Sequence, residues 1–163
     1  MAILTALAMA LSWMERFIPL ELVIPLPGVK LGLANTVTLF ALYMMDAPAA
    51  FMILVTRCLL GTLFSGNVTA LAFSLTGGVL SMLAMAAAVK SRHLSVYGVS
   101  VTGAAAHNIG QILAAMLLMH SWYILAYLPY LLLIGTACGV ATATVAAGVI
   151  RALRTEKTVY GQR

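Results

Sequence analysis

The stretch VTALAFSLTGGVLSMLAMAAAV, Val68 to Val89, holds 22 consecutive residues without a single charge. A helix rises about 1.5 Å per residue, so this stretch can cross the roughly 30 Å hydrocarbon core of a bilayer. It predicts a transmembrane helix, and the remainder of the sequence has the same character.

Composition extends this prediction to the whole chain. Of its 163 residues, 63% are hydrophobic and 8% are charged, against roughly 25% charged in a soluble domain. Such a chain needs lipid as part of its solvent. Its length allows six short-looped helices and no soluble domain beside them. The net charge of +5 is not arranged as a nucleic-acid module, so no nucleic-acid partner is expected.

Turn signals divide the chain into six apolar segments. They predict one all-α transmembrane domain over residues 1–163, with helices at 2–18, 31–45, 48–64, 68–89, 96–119 and 124–153. The intervening LELVIPLPGVK, Leu20 to Lys30, is apolar but contains two prolines, which remove backbone donors. Irregular backbone at membrane depth must be satisfied by protein or a wet cavity, so residues 20–30 are predicted to form a re-entrant loop or lid.

The basic residues predict the orientation of the bundle. Six of the nine lie in the 90–93 connection and in the tail from Arg151 to Arg163. Cytoplasmic loops carry the excess of lysine and arginine. With six spans, both termini are therefore expected in the cytoplasm, and the chain is expected in the bacterial cytoplasmic membrane.

Polar residues within the apolar segments are the candidate binding residues. Arg57 lies near the middle of the third predicted helix, where an arginine costs roughly 2.5–3.5 kcal/mol. It is expected to face the interior, either paired with an acid such as Glu15 or bound to an anionic substrate group. On the fifth helix, His107 and Gln111 share one face at i, i+4. Interhelical contact and pocket lining both remain open for the candidates Asn35, Lys30, His107, Asn108 and Gln111. Glu15, near the outer mouth, is a further candidate: it forms either an interfacial salt bridge or part of a polar rim to the pocket.

Small residues at helical spacing indicate surfaces where helices can pack closely. Ser74, Gly77, Gly78 and Ser81 on the fourth helix indicate close helix packing. Ala2, Ala6 and Ala10 form a small-residue stripe that is either incidental or a docking face for a membrane partner.

Several kinds of chemistry are absent from the sequence. It contains no P-loop, and Asp46 is its one aspartate, so no carboxylate cluster could hold Mg²⁺ against a diphosphate. No nucleophile and base stand at a recognisable spacing, and no histidine or cysteine has a second ligand at metal spacing. We therefore predict no catalytic residues, no metal and no cofactor.

Three stretches carry a family resemblance: PGVKLGLANTVTLFALY (Pro27 to Tyr43), TRCLLGTLFSGNVTALAFSLTGGVLS (Thr56 to Ser81) and GAAAHNIGQILAA (Gly103 to Ala115). They resemble the heptaprenyl diphosphate synthase component I family, also called the Gx transporter family. Its members are similar to S-components of energy-coupling factor (ECF) transporters. That similarity implies six helices, cytoplasmic termini, an outward-facing pocket and docking on a coupling subunit through an alanine stripe such as Ala2, Ala6 and Ala10.

The resemblance leads to two functional predictions. The first is an S-component-like subunit that captures a small anionic or amphipathic molecule from the outer face and works with an ECF coupling subunit and ATPases. The alternative is a non-catalytic membrane subunit associated with heptaprenyl or polyprenyl diphosphate synthesis, because the aspartate-rich motifs of chain-elongating synthases are missing. A third prediction, which does not depend on the resemblance, is a structural subunit of a redox complex that binds no ligand.

Overall fold

The computed structural model describes residues 1–17, 30–91 and 93–160, without the side chains of residues 16 and 154–160. Every regular element in these ranges is helical, which confirms the all-α class. The helices are α1 (Ala2–Met14), α2 (Asn35–Met44), α3 (Ala47–Ser65), α4 (Val68–Ser91), α5 (Val96–Met119) and α6 (Leu128–Tyr160), with 3₁₀ turns at Glu15–Phe17 and Trp122–Tyr127.

Short polar side chains define where several helices begin and end. Asp46 caps α3 by accepting a hydrogen bond from Ala49 N at 2.7 Å, and Ser95 caps α5 by accepting from Gly98 N at 3.3 Å. Gly66 ends α3 in the left-handed region, at φ 65°. These caps satisfy backbone groups that lipid could not.

Four helical segments of the described chain are long and apolar enough to span a membrane. They are Ala47–Ser65, Val68–Ser91, Val96–Met119 and Trp122–Leu153. The first two predicted spans are shorter as helices: α1 has 13 residues and α2 has 10. About 20 residues are needed for a regular helical crossing, so α1 and α2 do not cross the bilayer as helix alone.

The predicted boundaries differ at α1, α2 and α6. α1 gives way to a 3₁₀ turn at Glu15 instead of continuing to residue 18, and α2 begins at Asn35 instead of residue 31. Gly32 has φ 83°, which a helix cannot contain. The sixth helix begins at Leu128, after the 3₁₀ turn, and runs to Tyr160. The predicted loop at 20–30 lies outside the described residues, except for Lys30.

Helix α5 is packed between α4 and α6. Its contact with α4 is close because Gly110 stands opposite Gly77: a Cβ on Gly110 would lie 2.8 Å from Gly77 Cα and 2.8 Å from Thr76 O. Its contact with α6 includes a hydrogen bond from Ser100 Oγ to Gly139 O at 2.7 Å. Small residues therefore bring these backbones together, as in other membrane helix pairs.

Replacing Gly110 by alanine should destabilise the bundle, because the added methyl group would meet α4 backbone that cannot rotate away. We expect the free energy of unfolding to fall by about 1–3 kcal/mol, measured by denaturation in detergent micelles. Gly148→Ala on α6 is the matched control, because a Cβ there meets nothing within 4 Å. Equal stability of the two variants would contradict the close α4–α5 contact.

Candidate functional site

Residues 30–34, which we call the strap, lead into α2 without regular secondary structure and lie against α1 and α5. Two side chains satisfy strap N–H groups. Lys30 N donates to Gln111 Oε1 at 3.3 Å, and Leu33 N donates to Glu15 Oε1. Both Gln111 and Glu15 are buried. They supply the acceptors that irregular backbone requires inside a membrane protein.

The Gln111 amide also fixes the state of His107. Because Oε1 of Gln111 accepts from the strap, its NH₂ group faces Nε2 of His107, 3.0 Å away. An amide NH₂ can only donate, so the imidazole accepts at Nε2 and carries its proton at Nδ1. His107 is 3% exposed, and its ring lies against Gly77 of α4, where a Cβ would come within 2.9 Å of Nδ1.

Gly32 is the point where the strap meets α2 and α5. Its φ of 83° favours glycine, and a Cβ there would lie 2.9 Å from Asn35 Nδ2 and 3.1 Å from His107 Cδ2. Backbone conformation and close contact both require the absence of a side chain at this position.

Arg57 approaches the same region from α3. It is 6% exposed, and its Nη2 donates to Asn35 Oδ1 at 3.5 Å. Within the described part of the chain its Nε has no hydrogen-bond partner. Gly78 on α4 allows close packing against α3, since a Cβ there would lie 2.6 Å from Leu54 Cδ1, while Arg57 Nη2 would be at an ordinary contact distance of 3.5 Å.

Lys30 and Arg57 both line a cavity of about 360 Å³ between α1, the strap, α3 and α4. Lys30 Nζ lies 3.0 Å from Ser74 Oγ and 3.5 Å from Ser12 Oγ. Glu15 is within electrostatic range of both cations. The described charges at this cavity are thus two positive and one negative, in a setting with apolar walls that include Trp13 and Phe64.

Six of the seven predicted binding residues lie around the strap or cavity. Lys30 and Arg57 line the cavity itself, and the buried residues behind them are Glu15, Asn35, His107 and Gln111. Asn108 lies elsewhere: its Nδ2 donates to Leu131 O at 2.7 Å and holds α5 to α6. One residue along a helix turns the side chain by about 100°, which directs Asn108 away from the His107 face.

The sequence did not identify the serines of the cavity. The sequence predicts a close-packing role for Ser74, but Ser74 accepts a hydrogen bond from Lys30 Nζ and lines the cavity. Ser12 was not singled out. Ser74 shares a helix face with Gly77, Gly78 and Ser81. This spacing marks a polar, small-residue face, but it does not reveal which neighbouring element that face contacts.

The predicted docking stripe lies on the outside of α1. Ala2, Ala6 and Ala10 are exposed, whereas Ala8 is fully buried. Ala2 and Ala6 border a second groove of about 400 Å³, formed with Met52 and Thr56 of α3. The stripe is therefore accessible to a neighbour in the membrane.

No group of three or more metal-ligating side chains occurs among the residues for which side chains are described. Cys58 and Cys138 are free thiols. His107 faces an amide and a glycine, and Asp46 serves as a helix cap. The contacts of this site are thus hydrogen bonds and charge, which suit the binding of a polar or anionic group.

Gly32→Ala should reduce stability more than Gly66→Ala. Both glycines have positive φ, 83° and 65°, so alanine costs about 1–2 kcal/mol of backbone strain at either. Gly66 has nothing within 4 Å of a built Cβ, whereas Gly32 meets Asn35 and His107. Thermal unfolding midpoints in detergent measure the difference. Equal losses would indicate that the strap is not pressed against these side chains.

Comparison with known proteins places the chain in a family. A family model described as heptaprenyl diphosphate synthase component I matches residues 4–149. Searches of curated proteins and of solved structures found no match. The family description names one component of a synthase and assigns no catalytic function to that component. Since the match extends over residues 4–149 of a 163-residue chain, the chain belongs to the heptaprenyl diphosphate synthase component I family.

Proposed function

We propose that this protein is a non-catalytic membrane subunit that acts with a separate prenyl diphosphate synthase subunit. The observation that carries the proposal is the family match over residues 4–149. The residues agree with a non-catalytic role, because the single aspartate, Asp46, is engaged as a helix cap. Chemistry on a diphosphate that needs Mg²⁺ would have to come from another chain.

The same proposal includes six passages through the bacterial cytoplasmic membrane, with both termini in the cytoplasm. Four helices have the required length. α2 would complete its passage with the strap, whose N–H groups from Lys30 and Leu33 are bonded within the protein. α1 would complete its passage with the residues that follow it in the chain. The distribution of basic residues supports the orientation.

A second candidate function is that of an S-component-like receptor. Two observations favour it: the cationic cavity between α1, α3 and α4, and the exposed alanines of α1. In this function the protein would capture a small molecule from the outer face. It would dock through Ala2, Ala6 and Ala10 on an ECF-type coupling subunit driven by ATPases.

Affinity purification of the full chain from native membranes separates the two functions. For a synthase subunit we expect a soluble prenyl diphosphate synthase subunit to co-purify at a constant ratio. Deletion of the chain should then change the length distribution of the prenyl products, measured by mass spectrometry. Recovery of a coupling subunit with ATPases, and unchanged prenyl products after deletion, would refute the synthase role.

Ala6→Leu tests the docking stripe directly. If the second function holds, a leucine here should weaken association with the coupling subunit about tenfold or more, the effect of about 1.4 kcal/mol of steric conflict. Ala141→Leu on the exposed face of α6 is the matched control. Pull-down recovery measures the effect. Equal recovery of the two variants would show that α1 is not the docking face.

A further inference from the structure

We propose that the end of α6 and the end of α4 form a docking surface for an acidic segment of a soluble protein. This surface, which we call the basic corner, consists of Lys90 on α4 and Arg151, Arg154 and Lys157 on α6. The proposal deepens the proposed function by naming the surface that would receive a separate subunit. It rests on that function only for the cytoplasmic position of this end of the bundle.

The two parts of the basic corner lie at the same end of the bundle. Ala88 of α4 and Ala146 of α6 belong to one buried cluster. Lys90 follows Ala88 by two residues, Arg151 follows Ala146 by five, and both Lys90 and Arg151 are exposed. Each helix therefore leaves the shared apolar cluster and reaches a basic side chain within about two turns.

Helix α6 extends well beyond its neighbour at this end. α4 ends at Ser91, three residues after Ala88, whereas α6 continues to Tyr160, fourteen residues after Ala146. At about 1.5 Å per residue, α6 reaches roughly 16 Å further than α4. The headgroup layer on one side of a bilayer is only about 5–8 Å thick. The last turns of α6 therefore stand beyond the lipid phosphates, where a soluble protein can reach them.

The register of α6 places its last basic residues on one face. Ile150 is buried against the bundle. Arg154 and Lys157 follow it at i+4 and i+7, so they share its helix face. Beyond the end of α4, this face borders the space above Lys90. Glu156 is not three or four residues from either basic residue, so it lies on a different face. Two helices thus bring positive charge to one corner.

The charge at this end has an excess that pairing within these segments does not remove. Six basic residues, Lys90, Arg92, Arg151, Arg154, Lys157 and Arg163, occur here against the two acidic residues Asp46 and Glu156. Whichever pairs form, two carboxylates neutralise at most two of the six. Asp46 also serves as the cap of α3. A positive surface is complementary to a negative one, and carboxylates are the protein groups that arginine and lysine bind most strongly.

The test uses the full chain in phosphatidylcholine nanodiscs, whose lipids carry no net charge. Anisotropy of a fluorescently labelled oligoglutamate peptide is followed as nanodiscs are added. Empty nanodiscs and a labelled glycine–serine peptide of the same length are the blanks. We expect saturable binding of oligoglutamate that weakens as salt is raised, because salt screens contacts between exposed charges.

A pair of double variants then locates the surface. Arg154→Gln with Lys157→Gln should weaken binding about tenfold or more, because two charge-assisted contacts are lost. Ala152→Glu with Val159→Glu is the matched control: it lowers the net charge by the same amount, but two and nine residues after Ile150 it lies on the opposite helix face. The control should bind within about threefold of the parent at physiological salt. Thermal unfolding midpoints should match the parent in both variants, since all four positions follow the buried Ile150.

Two results would overturn the proposal: no saturable binding of oligoglutamate, or an equal loss of binding in the two double variants, which would indicate overall charge and not a defined face. A lipid occupant has its own signature in nanodiscs that contain phosphatidylglycerol. If native mass spectrometry shows this lipid retained by the parent and lost from Arg154→Gln with Lys157→Gln, while oligoglutamate does not bind, the basic corner contacts headgroups and the proposal is wrong.

The peptide assay contains no other protein, so its outcome is separate from that of the proposed function. Binding of oligoglutamate at the basic corner without co-purification of a synthase subunit would refute the proposed function and leave the docking surface. Co-purification that is unchanged in Arg154→Gln with Lys157→Gln, together with no peptide binding, would refute the docking surface and leave the proposed function.

Discussion

Satisfying the strap backbone without water is the constraint on which the site depends. Residues 30–34 are irregular, yet they lie against buried side chains, so their N–H groups need acceptors from the protein. Gln111 and Glu15 provide them. This use of Gln111 also determines the tautomer of His107, and the nearness of His107 requires a glycine at position 32. The need to bond the strap N–H groups thus accounts for the placement of Glu15, Gln111 and His107 and for the glycine at position 32.

The helix scaffold makes that arrangement possible through small residues. Gly77 and Gly110 let α4 and α5 approach closely where the His107 ring lies against Gly77, and Gly78 lets α4 pack against Leu54 of α3. On the other side of α4 a cavity remains between α1, the strap and α3, and Lys30 and Arg57 line it.

The sequence was sufficient for the helical class and for most of the polar cluster. Arg57, Asn35 and the His107–Gln111 face could be identified because a polar group among apolar helices must turn inward. Asn108 makes an interhelical contact with Leu131 of α6, one of the two possibilities that the sequence left open, because periodicity alone does not say which neighbour a face meets. Ser74 was missed because a serine among glycines also fits close packing. The start of α2 was wrong because Gly32 adopts positive φ, which depends on its tertiary contacts.

The aromatic border of the cavity determines how its contents would be exchanged. Trp13 and Phe64 are exposed at the cavity, beside other exposed apolar side chains of α1 and α3. If lipid covers these surfaces, an entering molecule would arrive by lateral diffusion within the membrane. Occupancy would then follow the mole fraction of that molecule among the surrounding lipids, not its dissolved concentration. A molecule too insoluble to be delivered through water could still reach the cavity from its immediate neighbourhood.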